Sequence, residues 1–598
     1  MSSESIDFFQ SDQVTDKPQR HALLFRLASY LKPYGLQIMG LLGLMTLGAF
    51  LEVLPATFTV LIIESITRDG NTSSLMPLVL GFFGVILAGM FVTFLRYIVL
   101  AWVGRNAMLD LRSELFRHLM TRSTHFFHHN PVGRLMTRVT SDVQNLNEMF
   151  SSGFVAILGD FLSLLAIVIW MYSKHAGMAT VALAIMPFLL VATEIFRRKA
   201  GHAFRETQGR YAAIQSFVQE QISGMSLVQV NAQESESRHK FRELNDSYLS
   251  AFLRTILAYS IFFPVVEFIT SATLAALIWY ASLKLQLGLV DFALLIAFIQ
   301  LTGRFFRPIR ELAERYNIMQ TALASSERIF KLLDNQDVIP NGHLTETPRF
   351  QRAIRFESVD FAYEDYGNKG RTIIHGLTGD IPKGSRIAVV GHTGAGKSTL
   401  INLLMRFYDV NQGKITVDSE DIRHFDLKKL RAMFGLVLQD VFVFSGTLLE
   451  NIVLDHPVDE AKLEEVLQQS QLSILVDRLP EGLQTQVGER GQKMSAGERQ
   501  LLAFARMLYQ NPDILLLDEA TANIDSETEH QIQKVIATIS RRMTTFTIAH
   551  RLSTIRDADE IWVLDQGVII ERGTHESLLA KDGHYAMLVR LQFSEDAA

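Results

Sequence analysis

Apolar residues form long blocks in the first half of the chain and short runs between charged stretches in the second half, with the change between about residues 320 and 335. Six of the blocks are long enough to cross roughly 30 Å of hydrocarbon as helices. These blocks are residues 36–66, 75–103, 149–172, 178–196, 256–283 and 290–306. The pattern therefore predicts an all-α membrane domain with six transmembrane helices.

The connections between these blocks alternate in length and charge. Those after the first, third and fifth blocks are short (67–74, 173–177 and 284–291), whereas those after the second and fourth are long and rich in arginine. By the positive-inside rule, the long connections and both termini are expected in the cytoplasm. Apolar positions that recur every three or four residues over 109–120 and 211–230 predict that helices extend the spans beyond the membrane.

The segment 126–133 interrupts this helical pattern with Pro131 and Gly133. Pro and Gly in such a position are typical of a solvated loop. The adjacent pair Phe126 and Phe127 favours the alternative, in which the segment docks onto another domain.

Five charged residues lie within the predicted spans: Glu52, Arg96, Asp160, Glu194 and Glu267. Because charge at bilayer depth is costly, such residues often line a cavity. Arg96 and Glu194 are expected near an interface, where a long side chain reaches water. For Glu52, Asp160 and Glu267, a place on a translocation pathway and a structural role both stay open.

A glycine-rich stretch after residue 390 carries the most specific chemistry. The apolar run 386–390 precedes it and the helix-like run 400–404 follows it, so a strand, a loop and a helix start are expected. Backbone N–H groups of such a loop bind phosphate oxygens, Lys397 is expected to reach the outer phosphates, and the Ser398 hydroxyl to ligate Mg²⁺. The stretch, a Walker A pattern, reads Gly391-His392-Thr393-Gly394-Ala395-Gly396-Lys397-Ser398-Thr399. It predicts that the protein binds a nucleoside triphosphate.

From residue 354 to about residue 591, strand-like and helix-like runs alternate, as in an α/β domain. The apolar run 514–517 ends in Asp518 and Glu519, a Walker B pattern. Asp518 is expected beside the Mg²⁺ ion, and Glu519 is placed to orient and partly deprotonate a water that attacks the γ-phosphate.

Ser495 and Gly497 precede the helix-like run 501–508. Two interpretations stay open for this helix start. One is a second anion-binding site. The other is an ordinary capped helix, because Ser495 and Glu498 have the spacing of a capping box.

Walker A, the serine–glycine helix start, Walker B and six preceding spans together resemble an ATP-binding cassette (ABC) exporter of the type IV, multidrug-exporter-like kind. The resemblance implies a six-helix transmembrane domain fused to a soluble P-loop ABC-type α/β domain. It implies that Tyr363 stacks on adenine and that Gln439, the Q-loop residue, senses Mg²⁺ and the membrane domain. It also implies that Asp525 lies in the D-loop and that His550 is the switch histidine contacting the γ-phosphate.

The same resemblance suggests two coupling segments in the cytoplasmic connections. The loop 130–133 is similar to the first coupling helix of the family, and a turn near 203–210 is expected to be the second. The implied domains are a polar segment 1–20, a transmembrane domain 21–333, a linker 334–353 and a nucleotide-binding domain 354–598.

The signature motif departs from the family's usual Leu-Ser-Gly-Gly-Gln. Here it reads Met494-Ser495-Ala496-Gly497-Glu498, which adds a methyl group and a negative charge close to where a nucleotide is held. At 5 Å and an effective dielectric of 20, that charge repels an anion by at most ~3 kcal/mol. Because the Walker motifs and Glu519 are intact, the chain resembles the MdlB-like half of bacterial heterodimeric exporters. A homodimer that tolerates Ala496 and Glu498 is the alternative.

The sequence therefore predicts ATP- and Mg²⁺-dependent export of amphipathic small molecules, drug-like or lipid-like, across a bacterial cytoplasmic membrane. The expected partners are a second half-transporter subunit, the amphipathic substrate and membrane lipid. A homodimeric lipid flippase or peptide exporter is the first alternative, and an ATP-gated channel or regulatory protein is the second. The absence of cysteine excludes disulfides, and a net charge of −6 over 598 residues gives no reason to expect nucleic acid.

Overall fold

The structure is a computed structural model, and it describes residues 23, 25–69, 75–286, 291–344, 346, 350–363, 372–518, 526–549 and 552–593. The chain divides into two compact units. The helical unit comprises Met1–Met120 and Val132–Asn335. The α/β unit comprises Thr121–Pro131 and Gln336–Ala598, so a short insertion from the first half of the sequence belongs to the second unit.

Helices make up almost all of the described chain up to residue 334. Their bounds are α1 Gly35–Glu64, α2 Leu75–Met120, α3 Thr124–His129, α4 Val132–Thr137, α5 Val143–Glu148, α6 Val155–Lys174, α7 Ala176–Leu183, α8 Met186–Ser223, α9 Met225–Val230, α10 Glu234–Gln286 and α11 Phe292–Asp334. Wider π-type turns at Arg138–Asp142 and Met149–Phe154 join α4, α5 and α6 into one nearly continuous rod. Helix α3 lies in the α/β unit.

The six predicted spans correspond approximately to helical stretches of the helical unit, and the span 178–196 is divided between α7 and α8. Five described helical stretches are long and apolar enough to cross a membrane, namely Lys32–Thr67, Leu75–Met120, Val132–Lys174, Ala176–Ser223 and Glu234–Lys284. The sixth apolar block is the shorter stretch Phe292–Phe306, which opens α11. The prediction of an all-α membrane domain is confirmed.

The turn that the sequence analysis placed near residues 203–210 is wrong. These residues lie inside α8, which continues to Ser223. The chain turns instead around α9, where Gly224 is the C-cap of α8 and Ala232 takes a positive φ of 51°. A single glycine inside a helical pattern, such as Gly209, weakens a helix without ending it. A glycine at the C-cap position, such as Gly224, commonly ends one.

Aromatic and aliphatic side chains on facing helices form the core of the helical unit. Phe196 of α8 stacks on Phe262 of α10 with ring centroids 4.0 Å apart. Phe298 and Leu301 of α11 are buried in the same cluster. A polar contact joins distant parts of the unit's sequence, because Arg328 of α11 donates to both carboxylate oxygens of Asp142 at 3.0 and 2.5 Å.

The α/β unit contains two sheets. The strands are β1 Ala353–Ala362, β2 Thr372–Pro382, β3 Arg386–Val390, β4 Gln412–Val417, β5 Glu420–Asp421, β6 Phe434–Val437, β7 Ile514–Asp518, β8 Thr544–Ile548, β9 Glu560–Asp565 and β10 Val568–Gly573. The antiparallel sheet has the order β2-β1-β4-β5, and the larger sheet has the order β10-β9-β3-β8-β7-β6. The larger sheet is parallel except at its β9–β10 edge.

Helices, together with the antiparallel sheet, cover the larger sheet. Their bounds are α12 Lys397–Leu404, α13 Leu427–Ala432, α14 Leu448–Val453, α15 Glu460–Gln469, α16 Ser473–Arg478, α17 Ala496–Gln510, α18 Ser526–Ser540, α19 Leu552–Arg556, α20 His575–Ala580 and α21 His584–Phe593. Because both faces are covered, the strands are continuous apolar runs, and Ile514–Leu517 of β7 are all buried. The sequence prediction of an α/β domain is confirmed.

The parallel register brings several strand ends to one edge of the sheet. Val389 of β3 and Asp518 of β7 both pair with Ile548 of β8, and Val437 of β6 pairs with Leu517. In parallel α/β sheets, ligands bind beyond the carboxyl ends of the strands. The carboxyl ends of β3, β6, β7 and β8 therefore lie along the edge where a ligand is expected.

Candidate functional site

The loop between β3 and α12 has a backbone that requires glycine. Gly396 is the N-cap of α12 with φ of 101°, and a Cβ atom there would lie 2.8 Å from the Ile374 Cδ1 atom. At Gly391 a Cβ atom would lie 2.1 Å from the Leu564 carbonyl oxygen. These two positions exclude larger side chains, so the chain curls tightly and directs its N–H groups to the start of α12.

Lys397 lies inside the curve of this loop. Its ammonium group donates to the carbonyl oxygens of Gly391 at 2.7 Å and His392 at 3.2 Å, and its side chain is buried. The outer side of the loop is open, since Thr393, Gly394 and Ser398 are exposed. The loop thus offers N–H donors and a hydroxyl group to solvent around a buried cation, an arrangement suited to a polyphosphate.

Two further predicted site residues lie at the same edge of the sheet. Asp518 ends β7, two strands away from β3, which is roughly 10 Å at the usual strand spacing. Gln439 follows β6 by two positions and is exposed. Glu519, Asp525 and His550 lie outside the described residues.

Tyr363 lies beside the first turn of α12. Its hydroxyl group is 3.4 Å from the Thr399 Oγ1 atom and accepts a hydrogen bond from the Asn402 amide at 3.2 Å. The ring packs edge-on against Phe361 and Tyr408, with centroid distances of 4.8 and 4.9 Å. An aromatic face is therefore held next to the phosphate loop.

The signature stretch forms a complete capping box at the start of α17. The Ser495 hydroxyl accepts a hydrogen bond from the Glu498 N–H at 3.2 Å, and the Glu498 carboxylate accepts one from the Ser495 N–H at 2.7 Å. Ala496 and Gly497 are the first two residues of the helix. The Ser495 N–H group at the start of α17 is therefore already hydrogen-bonded to the Glu498 carboxylate.

Helix α3 packs within the α/β unit through both apolar and polar contacts. Phe126 is only 1% exposed, whereas Phe127 is 37% exposed. Asp337 accepts hydrogen bonds from the Ser123 hydroxyl at 2.5 Å, and the His125 Nδ1 atom lies 2.6 Å from the same carboxylate. The docking alternative for the segment 126–133 is therefore correct for its first part.

Sequence reasoning missed the residues that receive α3. The His128 Nδ1 atom lies 2.7 Å from the Tyr408 hydroxyl, and burial raises the pKa of Tyr408 to about 12. Because Tyr408 also contacts the Tyr363 ring, and Tyr363 contacts Thr399, two tyrosines connect α3 to the end of the phosphate loop. The cluster of three histidines among residues 125–129 was the available signal, but it does not identify partners about 280 residues away in sequence.

Arg506 of α17 is a second residue that the sequence analysis passed over. Its guanidinium group donates to the backbone oxygens of Asn451 at 2.9 Å and Phe442 at 3.0 Å. Burial lowers the pKa of Arg506. The side chain connects the helix after the signature to the segment that follows Gln439.

Comparisons with known proteins agree with this architecture. Residues 38–309 match the family model described as "ABC transporter transmembrane region", and residues 374–522 match the model described as "ABC transporter". The chain is 35% identical to the uncharacterized ABC transporter ATP-binding protein YknV of Bacillus subtilis, over 98% of this chain and 97% of YknV. It is 32% identical to an ATP-dependent lipid A-core flippase of Chromohalobacter salexigens, over 96% of this chain and 98% of that protein.

Another relative is the probable multidrug resistance ABC transporter protein YheH of B. subtilis, which is 33% identical over 85% of this chain and 76% of YheH. A solved structure of a bacterial Atm1-family ABC exporter with ATP bound is 27% identical, with a TM-score of 0.76. It covers 94% of this chain and 98% of that chain.

A membrane-spanning helical unit and a phosphate-loop α/β unit in one chain define an ATP-driven membrane transporter. The chain belongs to the ABC transporter family and is an exporter in which the transmembrane and nucleotide-binding domains are fused. It binds ATP and couples ATP hydrolysis to transport, with the nucleotide-binding domain in the cytoplasm.

Proposed function

We propose that this protein is one half of a heterodimeric exporter in the bacterial cytoplasmic membrane, and that it moves amphipathic small molecules outward. In this proposal, residues 21–333 form the translocation pathway within membrane lipid, and residues 354–598 bind and hydrolyse ATP. The segment 1–20 and the linker 334–353 flank these domains. A different ABC half-transporter supplies the second nucleotide-binding domain.

The residues of the sheet edge fit Mg²⁺ and ATP. Ser398 is exposed on the first turn of α12 and Asp518 ends β7, and hydroxyl and carboxylate oxygens are ligands that Mg²⁺ prefers. We assign the metal to Ser398, Asp518 and Gln439. Mg²⁺ would neutralise phosphate charge there.

Five further residues complete the proposed ATP site. The loop N–H groups and Lys397 bind the phosphates and Tyr363 binds adenine. Glu519 orients the attacking water as general base, His550 contacts the γ-phosphate and Asp525 reaches across to the partner.

One observation carries the heterodimer proposal: the capping box of α17. In the family, the signature of one subunit closes over ATP that the other subunit holds, so its N–H groups and serine face phosphate. Here the Ser495 N–H already donates to the Glu498 carboxylate at 2.7 Å, and that carboxylate carries negative charge. Glutamine at position 498 could make the same cap bond, so the difference lies in the charge: phosphate would meet a like charge, which at 5 Å opposes binding by up to ~3 kcal/mol. The intact Walker motifs then require an intact signature from another chain.

The relatives support export of amphipathic molecules without selecting one. Their names include a probable multidrug resistance transporter and lipid A-core flippases. Outward movement of a lipid is therefore the second candidate function, on the same scaffold and with the same ATP site.

The test is restoration of the signature. The purified chain alone is expected to hydrolyse ATP slowly, and the double variant Ala496→Gly with Glu498→Gln is expected to raise its ATPase rate about tenfold or more. Glutamine at position 498 still completes a capping box, so helix α17 keeps its cap while the charge is removed. Phosphate release in lipid nanodiscs is the measurement.

Two controls define the result. Glu519→Gln in the restored background should abolish the gained ATPase activity. Glu498→Ala removes both the negative charge and the cap bond, so its comparison with Glu498→Gln separates the effect of the charge from that of helix stability. High activity of the unmodified chain as a stable homodimer, unchanged by restoration, would replace the heterodimer with a homodimeric exporter.

A further inference from the structure

The helical unit contains a cavity of about 720 Å³ between α1, α2, α6 and α11. Apolar side chains supply much of its wall, including Leu51, Val85, Ile86, Leu100 and Ile167. Six charged side chains also line it: Glu52, Arg96, Glu148, Asp160, Arg304 and Arg315. We call this cavity the charged chamber. Glu267, a pathway candidate from the sequence, does not line it.

Only one pair among these six forms an ion pair within the part of the chain that the structure describes. The Arg315 guanidinium lies 3.2 Å from the Asp160 carboxylate, with the two side chains 15% and 31% exposed. These two charges compensate each other, so they do not require a ligand.

The other two arginines keep uncompensated charge. Arg304 donates to the backbone oxygen of Glu52 at 2.5 Å, a contact that leaves its positive charge unpaired. Arg96 lies over the Tyr97 ring at 5.6 Å, and a Cβ atom on Gly159 would be 3.6 Å from its guanidinium. Among the described residues, neither arginine has a carboxylate within 4.0 Å. Arg96 was expected near a membrane interface, whereas the structure places it in the wall of the charged chamber.

The carboxylates of Glu52 and Glu148 are the negative counterparts. Neither forms an ion pair or accepts a side-chain hydrogen bond among the described residues. Glu52 lies near the middle of α1, which spans Gly35–Glu64, so its charge is placed at membrane depth. A charge at that depth is retained at a cost, and such residues commonly serve a substrate or an ion pathway.

The balance of these charges selects a kind of ligand. Three positive and three negative side chains give the chamber no net charge, so a ligand with a single charge meets as much repulsion as attraction. A head group that carries both charges can instead place its anion on arginine and its cation on glutamate. Arg304 contacts the backbone of Glu52, so one of the positive charges is anchored at a residue that carries one of the negative charges.

We propose that the charged chamber binds amphipathic molecules with a zwitterionic head group. Arg304 and Arg96 bind the anionic group, Glu52 binds the cationic group, and the apolar wall takes the hydrocarbon part. The inference rests on the proposed export function, because it treats the chamber as the place of the transported molecule.

The test uses three probes with the same decyl chain: a zwitterionic decyl sulfobetaine, the cation decyltrimethylammonium and the anion decyl sulfate. Each is measured below its critical micelle concentration by equilibrium dialysis against the full chain in nanodiscs, with empty nanodiscs subtracted. The sulfobetaine is expected to bind about tenfold more tightly than either singly charged probe. Arg304→Gln should shift the preference toward the cation, and Glu52→Gln should shift it toward the anion.

Matched variants control for folding and for charge in general. Arg304→Lys keeps the charge and should retain the preference, and Glu64→Gln, on α1 but outside the chamber wall, should change nothing. Equal affinity for the three probes, or a preference that neither variant moves, would overturn the inference. ATPase activity is recorded separately. If neither a partner subunit nor the restored signature gives ATP hydrolysis that depends on Glu519, the proposed function fails. The binding preference among the three probes still tests the proposal for the charged chamber.

Discussion

Asp142 shows how one carboxylate fixes the helical unit at the residue scale. It is 6% exposed, it accepts two hydrogen bonds from Arg328, and it accepts a third from the Ser325 hydroxyl at 2.8 Å. Removing the charge of one partner in a largely buried, hydrogen-bonded pair costs about 1–3 kcal/mol. Asp142→Asn is therefore expected to lower the unfolding free energy of the purified chain by about this amount, measured by urea titration in detergent.

A second ion pair of the same unit provides the control. The Arg26–Asp334 pair is close, at 2.7 Å, but its side chains are 41% and 60% exposed. Solvent-exposed pairs contribute roughly 0–1 kcal/mol, so Asp334→Asn should have little effect. If both substitutions change stability equally, burial does not explain the role of Asp142.

The pair Arg386–Asp559 makes a pH-dependent prediction for the α/β unit. Hydrogen bonds from the Arg386 guanidinium hold the pKa of Asp559 below its ordinary value, and Asp559 also accepts from the Arg386 N–H at 2.9 Å. A lowered folded-state pKa stabilises the protein above the unfolded value of about 4 and loses that contribution as pH falls through the folded value. Asp559→Asn should therefore cost about 1 kcal/mol at neutral pH, with the difference vanishing in acid.

Trp562 is the probe for that measurement, because it is buried in β9 and is the only tryptophan after residue 336. Its fluorescence during urea unfolding is followed at several pH values, in a background whose other tryptophans are phenylalanine. A difference between wild type and variant that stays constant down to pH 2 would contradict the assignment.

At the element scale, α3 is the short helix that joins the α/β unit from a distant part of the sequence. Phe126 is buried there, while Phe127 next to it is partly exposed. Phe126→Ala removes a buried ring, so we expect helix α3 to detach at a cost of about 3–5 kcal/mol of local packing. Transport should then fall at least tenfold while ATP binding by the nucleotide-binding domain is retained.

Phe127→Ala is the matched control and should keep transport near the wild-type level. Substrate uptake into inside-out vesicles and nucleotide binding are measured on the same preparations. If both substitutions reduce transport alike, or if Phe126→Ala removes ATP binding, the docking of α3 is not a coupling contact.

Elements with local signals could be predicted from the sequence, and contacts between distant elements could not. Continuous apolar runs gave the buried strands β3 and β7, and the glycines of the phosphate loop identified the helix start that follows. The turn near 203–210 was misplaced, because only Gly209 marks that stretch and helix formers surround it. The pairs Asp160–Arg315 and Asp142–Arg328 depend on packing across more than 150 residues, which no local pattern records.

At the scale of the whole molecule, the proposed heterodimer has two unequal ATP sites, because this chain has intact Walker motifs and an altered signature. If this chain holds the competent site, its Lys397 and the corresponding lysine of the partner do not contribute equally. Lys397→Ala in the assembled pair should reduce the ATPase rate to about 1% of wild type or less, because the phosphates lose their buried cation. The same substitution in the partner should reduce the rate less than about fivefold, since that site is closed by Ala496 and Glu498.

Both variants are assayed for phosphate release in nanodiscs at saturating ATP and Mg²⁺, with gel filtration to verify that the pair remains assembled. Nucleotide occupancy after trapping gives an independent readout, because the site closed by this chain's signature should retain ATP without hydrolysing it. Equal losses from the two substitutions would mean that both sites turn over in alternation. In that case the hydrogen bond between the Glu498 carboxylate and the Ser495 N–H must break in each cycle. The capping box would then take part in the catalytic cycle and would not indicate an inactive ATP site.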